Sequence, residues 1–266
     1  MPRTTEQNGA MRPVLNLFYV LDSSGSMSGD PITVLNRAMR STIDAVKMEA
    51  AYNNQARIKV AVLTFNSTCW WLNEYGPEDI DRFIFDDLQA TGVTCMGAAL
   101  AELNSKLSSR GFINAESGNL MPVIIFMTDG YPTDEYKPEL EKIMRNKWFS
   151  KATRIGFAIG GNPDQEMIAR LVGNSESVIR TKNLGDFAAL LRWVSVTSSM
   201  LQSESRVTGW ESIGVDAVNE AKRRAGYDES SFRPDFDYRE ERRDDGSWGP
   251  DPLSVSDDDY GIGAEW

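Results

Sequence analysis

An α/β fold, with a mostly parallel sheet flanked by helices, is the class this sequence predicts, and three observations carry it. Short apolar runs rich in β-branched and aromatic residues alternate at least four times with amphipathic stretches, the pattern of right-handed βαβ units. Two of those runs, Val14 to Leu21 and Met121 to Met127, lead into a carboxylate, Asp22 directly and Asp129 after Thr128. At 266 residues the chain is long enough for one large domain with a sizeable core.

The elements follow in order. VLNLFYVL, Val14 to Leu21, is interrupted only by Asn16 and reads as a strand buried on both faces. Asp30 is placed to cap a helix that starts at Pro31, where proline's missing N–H costs nothing, and runs to about Tyr52. Its stripe of Ile32, Leu35, Met39, Ile43 and Val46 suits packing on a sheet. Arg57 to Phe65 is a second buried strand, with Ser67 to Leu72 as a short edge strand beside it. Asn73 to Gln89 is irregular, and its Ile80, Phe83, Phe85 and Leu88 are packing residues. ATGVTCMGAAL then enters a helix over Met96 to Leu107. After the strand Met121 to Met127, Thr133 or Asp134 caps a single helix to about Trp148. Thr153 to Ile159 is a strand, Gln165 to Leu171 a short helix, Ser177 to Thr181 a small strand, and Asp186 to Gln202 the last long helix. Past Arg206 the period fades: Glu211 to Arg224 is compatible with one more helix, and the rest mixes Asp, Ser, Gly and Pro with isolated aromatics. The expected organisation is a flexible N-terminus over 1–12, a domain over 13–205 and a disordered acidic tail over 206–266.

Composition narrows the chemistry. The chain has no histidine, which removes every nucleophile system that needs an imidazole base. Its two cysteines, Cys69 and Cys95, lack a Cys-x-x-Cys spacing, so neither a disulfide framework nor a thiolate metal site is indicated and a reduced, cytoplasmic protein is expected. Cys95 reads either as a redox-sensitive thiol or as a small packed side chain. Trp70-Trp71 reads either as an exposed partner patch or as packing. No apolar run approaches the ~20 residues of a membrane span, and MPRTTEQNGAMRP holds no apolar core of a secretory signal. A formal charge of −11 disfavours nucleic acid and anionic membranes as partners. Residues 206–266 hold 16 acidic against 8 basic residues, so most of that charge lies there.

DSSGSMSG, Asp22 to Gly29, is the stretch richest in chemistry. Asp22, Ser24 and Ser26 alternate, so an extended or gently turning backbone aims three oxygen-bearing side chains at one point while Gly25 lets the chain curve. Such donors suit a hard cation like Mg²⁺, which keeps several waters, whereas zinc or copper would want Cys or His. Ligands of parallel α/β sheets sit at the carboxyl ends of strands, so adjacent strands ending in Asp22 and Asp129 would share one crevice. Thr94, at a helix entry, is placed either to cap that helix or to reach a ligand, and Asp134 either to cap a helix or to contact metal.

DSSGSM after an apolar strand, Thr94 in TGVT before a small-residue helix, and TDG after a second strand together resemble the von Willebrand factor A (VWA) family, over Val14 to about Gln202. The resemblance implies a Rossmann-like fold with one short antiparallel edge strand and a metal-ion-dependent adhesion site (MIDAS). Carried over, Ser24 and Ser26 would bind the cation directly, and Thr94, Asp22 and Asp129 directly or through water. The implied cofactor is Mg²⁺, or Mn²⁺ or Ca²⁺. The family's glycine pair before the threonine stands here as Gly92-Val93. DSSGSMSGDPI, LTFN, MTDGYPTDE and WVSVTSSM also resemble the TerY-like bacterial branch. That branch implies a tellurite-resistance, stress-response or phage-defence setting, with a protein kinase and a PP2C-type phosphatase as associated proteins.

Two functions of different class are in view. The first is a non-enzymatic, cation-dependent protein-binding module, whose partner supplies an Asp or Glu to the metal. The second is a Mg-dependent phosphotransferase of haloacid-dehalogenase-like type, which also starts with an Asp at the end of the first strand. It needs a second Asp two residues on, and Ser24 stands there. A dinucleotide-binding fold would want G-x-G-x-x-G where this chain has DSSGSMSG.

Overall fold

Val14–Asp22 forms β1, buried along its whole length, and its pleat separates two cores. Leu15, Leu17, Tyr19 and Leu21 belong to one apolar cluster, Phe18 and Val20 to the other, as the two-residue period of a strand requires. The structure is a computed structural model and describes residues 12–113, 118–159, 163–181, 184–204, 210–227, 240–242 and 248–250.

After β1 come a tight 3₁₀ turn (Gly25–Met27) and α1 (Asp30–Tyr52), then β2 (Arg57–Phe65), β3 (Cys69–Trp71), β4 (Glu78–Asp79) and α2 (Met96–Lys106). β5 (Val123–Thr128), α3 (Lys137–Met144), α4 (Lys147–Ser150), β6 (Thr153–Ile159), α5 (Gln165–Val172), β7 (Val178–Thr181), α6 (Leu184–Glu204) and α7 (Trp210–Ala225) complete this unit. Among the described residues, seven strands make one sheet in the order β3-β2-β1-β5-β6-β7, with β4 also paired to β2. The long strands run in parallel. β3 is the expected short antiparallel edge strand. The two-residue β4, hidden in the irregular stretch, pairs antiparallel with the start of β2, where Arg57 Nη2 donates to both Asp79 carboxylate oxygens at 2.8 and 3.0 Å. One core lies under α1, α6 and α7, the other under α2, α3 and α5.

Three elements depart from the sequence reading. The single helix expected to end near Trp148 is two, because Asn146 starts a new one: its Oδ1 accepts the N–H groups of Trp148 and Phe149 at 2.9 and 3.4 Å, and its Nδ2 donates to Asn104 Oδ1 and Leu107 O. At the start of α1 the cap position is Gly29, at a φ of 83°, so Asp30 sits in the first turn instead. The third departure corrects the domain boundary at 205. α7 buries Ile213, Ala217, Val218 and Ala221, and Gly214 lies so close to β6 that an added Cβ would sit 3.3 Å from Arg154 O. Its charged outer face, with Glu220 bonded to Arg223 and Arg224, blurred the apolar period.

The described residues fall into two compact units divided between Phe232 and Arg233. The second contains a short antiparallel ladder of β8 (Glu240–Arg242) and β9 (Trp248–Pro250). The flexibility expected of residues 1–12 lies, Arg12 apart, outside the described residues, and so does the disorder expected over 206–266 except at 210–227, 240–242 and 248–250. Among the described residues no helix is long and apolar enough to cross a membrane. The packing of α7 predicts that a chain ending at 205 unfolds at lower urea than one ending at 232. Ile213→Ala alone should cost about 2–5 kcal/mol by the same denaturation measurement.

Candidate metal centre

β1 and β5 pair in parallel with Leu21 opposite Met127, so Asp22 and Thr128 close their strands together and Asp129 stands one residue beyond. From β1 the chain moves to β2 on one side and later returns to β5 on the other. That reversal of strand order is where open α/β sheets form a crevice.

A continuous run of hydrogen bonds crosses it. Asp22 is buried; its Oδ1 accepts the Ser24 N–H at 2.8 Å and its Oδ2 accepts the Thr128 hydroxyl at 2.6 Å. Ser24 Oγ and Ser26 Oγ share a hydrogen bond at 3.1 Å, and Ser26 Oγ donates to Asp129 Oδ1 at 2.8 Å. A Cβ built on Gly130 would lie 3.6 Å from Ser26 Oγ and 3.7 Å from Thr94 Oγ1, which puts the Thr94 hydroxyl at the same mouth. The structure thus brings Asp22, Ser24, Ser26, Thr94 and Asp129 together.

Backbone interlocks hold these side chains. Gly25 N–H donates to Gly92 O at 2.9 Å, and a side chain on Gly25 would meet that oxygen at 3.0 Å. Gly92 adopts a φ of 74° and leaves no room for a Cβ, which would fall 2.3 Å from Ser67 Oγ. Val93 donates its N–H to the same Ser67 Oγ and is 49% exposed, so the loop closes without a second glycine. Thr94 does not cap α2: the cap position is Cys95, with no side-chain bond. Asp134 takes that work across the crevice, accepting the Gly97 and Ala98 N–H groups at 3.0 Å each. It is therefore a helix cap, as one of its two readings held, but of α2 and not of the helix that follows it.

Several supporting residues carry no sequence signal of their own. Ser23 Oγ donates to Phe65 O at 3.1 Å and accepts from Thr64 Oγ1 at 2.9 Å, fastening the strand end beside β2. Thr128, visible only as part of TDG, is the hydroxyl on Asp22. The tryptophan pair divides: Trp71 packs edge-on against Phe18 and Phe112 and donates to Glu102 Oε1 at 2.7 Å, while Trp70 is 40% exposed. Cys69 and Cys95 are both free thiols and half-buried.

The electrostatics define what fits. Burial pushes the Asp22 carboxyl above its usual range, and the bonds from Ser24 and Thr128 only partly oppose that. Asp129 is raised too, first by burial and then by the charge of Asp22, against the Ser26 bond. Neither carboxylate has a basic partner in the contacts that shift it. A cation would relieve both, since an opposite charge favours the ionised form. The donors are hydroxyls and two carboxylates, and among the described residues no three His, Cys, Asp or Glu side chains gather around one point. That oxygen-only, low-charge set fits a hard divalent ion that keeps part of its water shell.

Residues 16–193 match the family model of the von Willebrand factor type A domain. Among solved structures, the chain resembles a von Willebrand factor type A protein from Catenulispora acidiphila (TM-score 0.54, 18% identity, 71% of this chain and 43% of that one). It also resembles proximal thread matrix protein 1 from the mussel byssus, in a structure whose MIDAS motif is occupied by zinc (TM-score 0.53, 17% identity, 71% of this chain and 48% of that one). A third likeness is the pilus adhesin SpaC from Lactobacillus rhamnosus GG in its open conformation (TM-score 0.52, 13% identity, 69% and 30%). The chain spans less than half the length of each of these proteins. No curated protein matches it in sequence. At these identities the likeness is one of fold.

The cap across the crevice gives a testable consequence. Asp134→Ala should lower stability by about 1 kcal/mol, read by urea denaturation, with Asp134→Asn, which keeps one acceptor, falling between it and the parent chain.

Proposed function

The chain belongs to the von Willebrand factor type A family, and from that premise we propose that it is a non-enzymatic module that binds a protein partner through a divalent cation. Asp22, Ser24, Ser26, Thr94 and Asp129 would hold the ion. The observation that carries this reading is the run of contacts from Asp22 through the Ser24 N–H and the Ser24 and Ser26 hydroxyls to Asp129, two raised carboxylates facing an exposed mouth. When bound, the ion supplies a coordination position that a partner's Asp or Glu completes, so that association requires metal. Asp22, buried and bonded at both oxygens, orients the turn. Ser26, the exposed member, marks the open side. Mg²⁺ is the ion this donor set favours, with Mn²⁺ or Ca²⁺ as substitutes.

The enzymatic alternative has less support. A haloacid-dehalogenase-like phosphotransferase needs a carboxylate at position 24, where this chain has a buried serine bonded to Ser26. With no histidine in the chain, no imidazole serves as acid or base either.

The biological setting we propose follows the TerY-like resemblance of DSSGSMSGDPI, MTDGYPTDE and WVSVTSSM. In that setting the protein acts in the bacterial cytoplasm, within a tellurite-resistance, stress or phage-defence system, beside a protein kinase and a PP2C-type phosphatase. Neither nucleic acid nor a membrane is among its partners.

Two outcomes test the reading. Mg²⁺ or Mn²⁺ at a hundredfold excess over Kd should stabilise the native state by about 2.7 kcal/mol, a rise of roughly 5–10 °C in Tm, and Asp129→Ala should abolish it. Phosphoesters and nucleotides should not be hydrolysed; metal-dependent turnover that disappears in Asp22→Asn would contradict the binding-module reading.

A further inference from the structure

At the opposite end of the sheet from the metal centre, Arg154 is the one charged side chain lining a pocket of about 260 Å³. The pocket lies where β6 begins and α4 and α5 end, with Ser150, Gly173, Asn174 and Ser177 on its wall. A guanidinium carries five N–H donors, and only part of that set is used here. Nη1 donates to Leu171 O at 3.0 Å and to Met144 Sδ at 3.1 Å. The Phe149 ring lies against the group, its centroid 4.9 Å from Cζ. Nε is buried without a partner, and Nη2 has none among the described residues. No carboxylate pairs with it there, and burial without an acidic neighbour lowers its pKa.

The bond to Leu171 O has a structural account, since a cation at a helix C-terminus satisfies a free carbonyl. That accounts for Nη1 alone. Of the unused pair, Nε has no accessible surface, so Nη2 is the donor at the pocket, and a phosphate there gains the second, parallel bond of the fork once the side chain turns Nε toward it. Gly173, at a φ of 82°, keeps space beside Nη2: a Cβ there would come within 2.7 Å of that nitrogen.

We propose that this pocket binds a phosphate-type oxyanion on Arg154, with Asn174 and Ser177 as neighbouring polar groups. A wider groove of about 720 Å³ shares Gly173 and Asn174 and is walled partly by Leu140, Met144 and Ala169, which gives an organic group attached to the phosphate a place to lie. Glu141 and Glu166 line that groove and not the Arg154 pocket, and Arg170 engages Glu166. The inference is independent of the metal centre.

The test uses the full chain with inorganic phosphate and with phenyl phosphate at millimolar concentration, against potassium chloride of equal ionic strength, read by melting temperature and calorimetric titration. Saturable stabilisation is expected, at least about tenfold weaker in Arg154→Lys, which keeps the charge but loses the fork, and absent in Arg154→Gln. Because Arg154→Gln also removes the bond to Leu171 O, Asn174→Asp is the second variant. It keeps the acceptor that Glu176 N–H uses at 2.8 Å and places a carboxylate in the pocket. It should melt higher than the parent chain without phosphate and respond to neither ligand. A response to inorganic phosphate identifies a free anion, and a response to phenyl phosphate alone identifies the phosphoryl group of an organic ligand. No saturable response in the parent chain overturns the proposal. So does stabilisation that persists in Arg154→Gln or in Asn174→Asp, which is general salt exclusion.

Discussion

Two carboxylates brought to the ends of neighbouring parallel strands, linked by serine hydroxyls and one backbone N–H and with no basic side chain among the contacts that shift them, form the constraint on which the rest of this structure depends. The register that sets Leu21 beside Met127 leaves Asp22 and Asp129 no alternative to sharing a crevice. Burial and mutual repulsion both work against their charges. The fold answers with a set of locks that leave the site little freedom: Gly25 on Gly92 O, Thr91 N–H on Ser23 O, and Asp134 reaching across to α2. A site held this firmly has little to reorganise when a cation enters, the condition under which binding energy goes to affinity rather than to ordering.

The scaffold behind it is rigid for a different reason. β1 and β5 are buried on both faces, so a slip of one residue would exchange the two apolar clusters and expose neither to water. What specifies the register is polar: Asn16 Nδ2 bonds Asn119 Oδ1 at 3.0 Å near one end of the strand, and Thr128 bonds Asp22 at the other. The candidate metal centre is thus part of what aligns the sheet, and α7 closes the face covered by α1 and α6, where Ala217, Val218 and Ala221 pack.

How much of this could be read beforehand depended on how local each cause is. β2 and β6 begin and end where their apolar runs do, because burial on both faces leaves an unmistakable composition. Asp22, Ser24 and Ser26 announced themselves by spacing within one turn, and Asp129 by repeating the strand-then-carboxylate pattern. The target of Asp134 was not legible, because the helix it caps lies nearly forty residues earlier in the chain and the contact exists only once the crevice closes. The break at Asn146 looked like a continuous helix because a capping asparagine and a helical one differ only in what the backbone around them does. The sequence is compatible with a helix over Glu211 to Arg224 but does not show that it belongs to the domain, because a stripe of Ile213, Ala217, Val218 and Ala221 stands out only against the surface that buries it.

Anomalous diffraction from crystals grown with Mn²⁺ tests the central claim most directly. The account predicts one dominant peak in the crevice between β1 and β5, at metal–oxygen distances of about 2.0–2.3 Å from Ser24 Oγ and Ser26 Oγ, with Thr94, Asp22 and Asp129 in direct contact or one water away. A peak coordinated elsewhere, or none in that crevice at saturating Mn²⁺, would contradict it.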